Sequence, residues 1–396
     1  MITTEEARNI IIGQAKAGKS ERRNLTKSLG KILREDLSAP MDLPQFDQSA
    51  MDGFAIRFAD LANVKEFTIV GESSAGAPFK QNAQAGETVR IFTGAAVPDW
   101  ADHIITVEMA TVSGDRCVFN DPNGMYGQHI RKRGSQIASG EIAVRAGMKI
   151  NPATIGFLYS FGFTEVAVNR DLAVSILVTG NELRKPEESI AHGEIYESNS
   201  VMLAAACQSI HETNVRTVHC RDNEKELTET VRQLLETSDV VIVTGGISAG
   251  EYDYTAKAFA NCGVTKHFHK IAQKPGKPMF YGTVSKSHVF GLPGNPAAAL
   301  TCFYEYVLPC INKLNGAQQL QLPACKLSLD NSWKKKPGLA NYLKGSLTDT
   351  GICLLPGQES FILKSFSEAD ALVYIPQDAD ETKSGTSVEV HFLPFS

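Results

Sequence analysis

Hydrophobic and polar positions change regime several times along this chain. At the start, Thr3 with Glu6 makes a capping-box pattern, and the amphipathic period that follows predicts a helix ending near Gly18. Asn151 followed by Pro152 predicts a second helix, closed by Gly162 ahead of a strand from Thr164 to Val168. Between these helices, from about 41 to 140, short alternating runs such as EFTIVGESSAG, ETVRIFTG, HIITVEM and RCVFN are punctuated by glycine and proline. That punctuation predicts an inserted β-rich module.

After Arg170 the pattern becomes regular. LAVSILV, VRTVHC, VVIVTGG and HVFGL read as strands. Helices are expected from about Ser200 to His211, through ELTETVRQLLE, after Asp253 and after Asn295. Strands alternating with helices predict an open α/β sheet covered on both faces, with ligands at its strand ends. Beyond the linker near Gly316, runs such as ACKLSLD, GICLLP, ALVYIP and TSVEVHFLPF predict a small β-barrel or sandwich. The expected fold is therefore multidomain α/β and β. It comprises a split helical region (1–40 with 141–170), an inserted β module (41–140), a central α/β domain (171–316) and a C-terminal β-barrel (317–396).

Composition adds exclusions. A chain of 396 residues that is 43% hydrophobic fills its cores without crosslinks, and its eight cysteines include no C-x-x-C pair. Neither a disulfide scaffold nor a structural zinc site is indicated, and a reducing, cytoplasmic setting fits. The opening MITTEEARNI lacks the features of a secretory signal, and the apolar runs are strand-sized, so no membrane association is expected. A net charge of -5 argues against a nucleic-acid partner. Any anion chemistry must then come from individual sites.

Several strand ends offer such sites. TGGISAGEYD (244–253) reads equally as an anion-binding loop using Ser248 and Gly250 or as a tight connection, with Asp253 suited to a divalent ion or to helix capping. GLPGNPAAAL (291–300) places Pro293, Asn295 and Pro296 at a helix start where Asn295 caps, or at a phosphate contact. KIAQKPGKPM gathers Lys270, Lys274 and Lys277 on a proline-stiffened loop, a clamp for phosphate or oxyanion or a surface charge cluster. Glu182 in TGNEL and Asp222 after VRTVHC join Asp253 as strand-end acids whose oxygens favour magnesium over zinc, or serve as turn acids. His267 and His269 share a strand face without the ligands that would complete a metal site. In the inserted module, Ser49, Asp52 and Thr93 fit turns, and Arg131, Lys132 and Arg133 of HIRKRG fit an anion site, a solvated face or a nucleic-acid contact.

MDGFA, RIFTG, RKRG, TGNEL, TGGISAGEYDYT, KPGKPM and GLPGNP occur in the order seen in molybdopterin molybdenumtransferases, including the E domains of gephyrin and of the plant two-domain cofactor protein. The resemblance covers essentially the whole chain. It implies four domains and a homodimer whose active site is shared, the inserted module of one subunit facing the central domain of the other. The implied reaction takes adenylylated molybdopterin and molybdate, uses Mg2+ or another divalent ion, and yields molybdenum cofactor and AMP. Glu182, Asp222 and Asp253 would hold metal and substrate. Asp52 and Thr93 would come from the partner subunit, and Lys270 and Lys274 would be basic substrate residues. Ser248, Gly250, Lys277, Pro293, Asn295 and Pro296 would line the pterin phosphate and nucleotide region. Molybdopterin adenylyltransferase and molybdoenzyme maturation proteins are the partners this implies.

Two departures stand out. The family's usual R-R-R-G-E-D is Arg131-Lys132-Arg133-Gly134-Ser135-Gln136 here, and its TGDEL is TGNEL, with Asn181 in place of an acid. Gln136 would leave Arg131, Lys132 and Arg133 as a more positive oxyanion surface. The competing readings are a molybdopterin adenylyltransferase, which would not require the inserted module, and a gephyrin-like scaffold without catalysis.

Overall fold

The computed structural model describes residues 1–246 and 254–394, and they form two compact units. One comprises 1–35, 146–155 and the chain from 164 onward; the other comprises 36–145 and 156–163.

In the first unit, α1 (Thr4–Gln14) opens with a complete capping box. Glu6 N–H donates to Thr3 Oγ1 at 3.1 Å, and Thr3 N–H donates to Glu6 Oε2 at 2.7 Å. The helix stops at Gln14, short of the expected end near Gly18. Ala15 turns extended, and Gly18 N–H is used instead to bond Leu314 O at 2.7 Å. The second predicted helix, α2 (Pro152–Ser160), has residues in both units, and before it Asn151 Oδ1 accepts from Thr154 N–H at 2.8 Å.

The centre of this unit is a six-stranded sheet. Its strands are β1 (Val174–Thr179), β2 (Val215–Cys220), β3 (Val240–Thr244), β4 (Thr265–Phe268), β5 (Phe280–Val284) and β6 (Ser287–Leu292), in the order β2-β1-β3-β6-β5-β4. The pairs β1 with β2, β1 with β3 and β3 with β6 are parallel, while β5 is antiparallel to both β6 and β4. Strands β1, β3 and β6 are buried throughout, which is why they read as unbroken apolar runs. The sheet is mixed, because FYGTV forms an antiparallel strand that the alternation of strands and helices did not single out.

Helices cover both faces: α3 (Asn199–Ser209), α4 (Glu224–Thr237), α5 (Tyr254–Asn261), α6 (Pro296–Cys302) and α7 (Leu308–Asn315). A π turn over Phe303–Val307 joins the last two. Successive strand residues alternate between two cores, as a period of two requires. Ile176, Val178, Ile242 and Phe290 pack with Leu203, Cys207 and Phe303, while Leu177, Val241, Val243 and Val289 pack with Leu227, Val231 and Phe259. Each fully buried aliphatic or aromatic side chain contributes roughly 1.5–3 kcal/mol. All of the cysteines are free.

The C-terminal β domain belongs to the same unit. Its sheet contains Ala324–Ser328, Ala340–Leu347, Ile352–Leu354, Ala371–Ile375 and Ser387–Phe392, and Gln273–Lys274 adds a parallel edge to Ala340–Leu347. The second unit carries another six-stranded sheet, in the order His103–Thr106, Gly53–Ile56, Glu87–Ile91, Phe67–Ser73, Arg116–Phe119, Ala110–Ser113. Its core includes Phe54, Ile56, Phe67, Ile105 and Cys117. Among the described residues, no helix is long and apolar enough to cross a membrane.

Candidate active site

The C-terminal ends of the parallel strands enclose a cleft of about 510 Å³ in the first unit. Glu182 follows β1, Asp222 follows β2, Thr244, Gly245 and Gly246 lie at the end of β3, and Pro293 to Pro296 follow β6; all of them line the cleft. Parallel pairing is what makes these residues converge. With β1, β2, β3 and β6 all running the same way, their exits crowd one rim of the sheet.

Short polar links fix that rim. Thr179 Oγ1 donates to Asp222 Oδ1 at 2.5 Å, joining the ends of β1 and β2, and Asp222 N–H donates to Asn181 Oδ1 at 3.3 Å. Asn181, one of the two departures, thus accepts a backbone N–H at this corner through its side-chain oxygen, a task that needs no charge. Gly245 adopts φ +97°, and a Cβ there would lie 2.3 Å from Thr179 O, so the β3 exit can pass this close to β1 only as glycine. Ser248, Gly250 and Asp253, read from the sequence as ligand residues of the same loop, lie outside the described residues.

Glu182 and Asp222 bring carboxylate oxygens to one cleft, the donor type a hard divalent cation prefers. Among the described residues no group of three or more His, Cys, Asp or Glu side chains gathers as a metal site. Two carboxylates suit magnesium held jointly with a substrate's phosphates, because that ion ordinarily keeps few protein ligands. His267 lies apart from such chemistry: its Nε2 is 2.9 Å from Thr283 Oγ1 and its ring stacks on Tyr281.

The lysine segment meets the cleft less directly than its sequence suggests. Pro278 lines the cleft, whereas Lys270, Lys274 and Lys277 are exposed side chains outside its wall. Lys274 is fixed by the parallel pairing of Gln273–Lys274 against Ala340 and Asn341. Asn295 also differs from expectation. It stands at the N-cap of α6 but makes no capping bond, and its Nδ2 instead donates to Ser360 Oγ of the C-terminal domain at 2.7 Å.

Residues the strand-end motifs did not reveal come from the turn before α3 and from its first residue. Glu197 and Asn199 line the cleft. The buried Glu197 carboxylate accepts from Ser200 N–H at 2.8 Å and from Ser200 Oγ at 2.6 Å, which fixes the start of α3. The available signal was Glu-Ser-Asn directly ahead of a helix, which reads locally as ordinary capping chemistry.

In the second unit, Asp52 and Thr93 meet as a pair. Thr93 N–H and Oγ1 both donate to Asp52 Oδ1, at 2.8 and 2.7 Å, and these bonds hold the exposed Asp52 carboxyl below its ordinary range. Gly53 explains the MDG spacing, since a Cβ at this position would lie 2.0 Å from Ile105 O. The basic tract is not the free positive surface that its sequence implies. Lys132 Nζ lies 2.8 Å from Asp47 Oδ2, and Arg133 Nε lies 2.5 Å from Asp42 Oδ2. The Ser139 N–H and the Arg133 guanidinium lower the Asp42 carboxyl; at Asp47 burial acts the other way but is outweighed by Lys132 and the Arg133 N–H. Arg131 sits exposed in the short strand Ile130–Arg131, and Gln136 is exposed with its N–H donated to Leu43 O at 2.9 Å.

Comparison with known proteins follows the same layout. Residues 2–162 match the MoeA N-terminal region (domain I and II), 175–313 a probable molybdopterin binding domain, and 326–393 the MoeA C-terminal region (domain IV). A molybdopterin molybdenumtransferase of Haemophilus influenzae is 30% identical, with 100% of this chain and 99% of that protein covered. One from Staphylococcus epidermidis is 31% identical, with 98% and 95% covered. The crystal structure of the molybdopterin biosynthesis moeA protein from Pyrococcus horikoshii OT3 superposes with a TM-score of 0.84 at 26% identity, covering 99% of this chain and 100% of that one. With a relative at this identity aligned from end to end, and three successive regional matches in the same order, the chain belongs to the molybdopterin molybdenumtransferase family.

Proposed function

We propose that this chain inserts molybdate into adenylylated molybdopterin, releasing AMP and forming molybdenum cofactor. The observation that carries the reading is the cleft itself: Glu182, Asp222 and the Pro293–Pro296 corner share one strand-end rim in a chain that matches its relatives over its whole length. Full-length similarity also favours this reading over an adenylyltransferase, which would need only the α/β portion.

The chemical problem is repulsion between anions. An adenylyl anhydride must be approached by molybdate, which is doubly negative, so the site must offset like charges while holding both reactants in register. Glu182 and Asp222 would hold a divalent cation, which when bound neutralises phosphate oxygens. Thr179 keeps the Asp222 carboxylate oriented toward that task through its 2.5 Å bond. Lys274 and Lys277 would supply positive charge from the loop that carries Pro278. The dithiolene sulfurs of the substrate are the soft ligands molybdenum prefers, so no cysteine need enter the site. The eight free cysteines, five of them buried, are in keeping with that economy.

A homodimer with a shared site completes the reading, Asp52 and Thr93 acting from the partner subunit. Support comes from the family resemblance and from the two hydrogen bonds that hold the Asp52 carboxylate ionised and oriented. The function is tested by incubating the protein with adenylylated molybdopterin, magnesium and molybdate, then measuring cofactor through activation of an apo-molybdoenzyme. Molybdate-dependent activation is expected. Formation of adenylylated molybdopterin from ATP and molybdopterin, with no molybdate-dependent activation, would identify an adenylyltransferase, and neither activity would leave the scaffold reading.

A further inference from the structure

Two backbone corners frame the cleft, one after β3 at Thr244–Gly246 and one after β6 at Pro293–Pro296. Their carbonyl groups are a hazard for a site that takes phosphate, because a carbonyl oxygen facing an anion repels it. In this structure both of the carbonyls nearest the junction are occupied. Thr244 Oγ1 donates to Pro293 O at 3.0 Å, and Asn199 Nδ2 donates to Gly294 O at 2.8 Å. The same Asn199 Nδ2 donates to Thr244 Oγ1 at 3.1 Å, which closes a three-membered link between α3, β3 and the β6 corner.

The orientation of the Asn199 amide follows from chemistry. A backbone carbonyl only accepts, so the group facing Gly294 O must be the amide NH2. Asn199 Oδ1 is then turned away, buried, and without a partner among the described residues. A buried acceptor left unpaired lowers stability, so an amide kept here for stability alone is a poor choice. Its place is better accounted for by what the NH2 end does to the corner. Glu197 supports that placement by accepting both Ser200 donors and so fixing the first turn of the helix that carries Asn199.

We infer that Asn199 is a positioning residue of the cleft, which, through Thr244 and Gly294, holds the Pro293 and Gly294 carbonyls away from a bound nucleotide phosphate. This rests on the reading that the cleft takes the adenylyl part of the substrate. Asn199→Asp is the informative variant. Near neutral pH its carboxylate would place an oxygen against Gly294 O and open the corner, while protonation would restore a donor and close it again.

The test is AMP binding by calorimetry in magnesium, from pH 7.5 down to pH 5, with thermal unfolding recorded for every protein. Asn199→Asp is expected to bind AMP about tenfold more weakly than wild type at pH 7.5, and to recover most of that loss at pH 5. Asn199→Ala should lose affinity without recovery, and Thr244→Ser, which keeps the hydroxyl, should bind AMP more tightly than Thr244→Val. Wild-type affinity in Asn199→Asp at pH 7.5, or equal loss at both pH values in a folded protein, would overturn the inference. Should Asn199→Asp fail to fold, Thr244→Val against Thr244→Ser decides: equal affinities would overturn it. A wild-type protein that binds no AMP would instead remove the functional reading on which it depends.

Discussion

The strand-end cleft of the first unit and the Asp52 and RKRG surface of the second treat charge in opposite ways. In the cleft, Glu182 and Asp222 face open volume, and the Thr179 hydroxyl orients the Asp222 carboxylate without neutralising it. On the second unit, the cations Lys132 and Arg133 are already matched by Asp47 and Asp42. The contrast teaches that a run of like charges in sequence says little about field until its tertiary partners are known. Among the described residues, Glu182 and Asp222 have no ion-pair partner, whereas Lys132 and Arg133 do.

The largest effect should come from separating the two regions onto different chains. Asp52→Ala and Asp222→Ala should each lower cofactor formation on the order of 100-fold. Mixing the two inactive proteins under conditions of subunit exchange should then restore about a quarter of the wild-type sites, as random assembly of a two-fold dimer requires. No recovery, with exchange demonstrated, would leave the cleft and the Asp52 pair without a shared site.

A smaller effect tests whether the exposed lysine loop serves the cleft. Lys274→Ala should slow turnover about tenfold at subsaturating substrate, through loss of a charge-assisted phosphate contact. Lys336→Ala, at an exposed position of the C-terminal domain, should match wild type. Equal rates for the two variants would take Lys274 out of the site.

The first unit also carries a titration that the second unit does not share. His391 is buried in the C-terminal domain, with Nδ1 2.7 Å from Glu305 and Nε2 2.9 Å from Glu389. Arg8 pairs with the same Glu305 at 3.2 Å, and Tyr342 and Tyr374 pack against the imidazole. Burial works against the charged ring, but the two glutamates prevail and raise its pKa above the ordinary 6.5. A raised folded-state value means that this stabilisation is fully present below pH 6.5 and is lost as pH rises through the raised value. Thermal unfolding of wild type minus His391→Phe should therefore show a stability difference that shrinks on alkalinisation, by at most about 1.4 kcal/mol per pH unit. A difference independent of pH would mean that folding leaves the His391 pKa where it is in the unfolded chain, and one that grows on alkalinisation would mean that burial prevails over the two glutamates.

The smallest effect is expected at Gln136. Because Lys132 and Arg133 are paired and Gln136 is exposed, Gln136→Asp should change molybdate affinity by less than about fivefold. A larger loss would show that the tract presents its charge to the oxyanion despite its partners.

The legible part of this molecule was what local pattern dictates. Buried parallel strands produce apolar runs, and VRTVHC is found as β2 with the bounds its residues suggest. The strand Phe280–Val284 was harder to see because its Thr-containing run lies between a proline loop and a turn. Glu182 and Asp222 could be read as strand-end acids from the alternation of strands and helices, though not told apart from turn acids. Asn199 could not, since its role depends on Thr244 and Gly294, which are 45 and 95 residues away in sequence. Likewise, the pairing of Arg133 with Asp42 spans 91 residues. Such contacts exist only after folding.

The most direct test of the account is single-turnover AMP release from saturating adenylylated molybdopterin in magnesium, with and without molybdate, in wild type and Asp222→Asn. Fast, molybdate-dependent release is expected from wild type, and release slowed on the order of 100-fold from Asp222→Asn, with an unchanged unfolding temperature. AMP release by wild type that ignores molybdate, or equal rates in the two proteins, would contradict it.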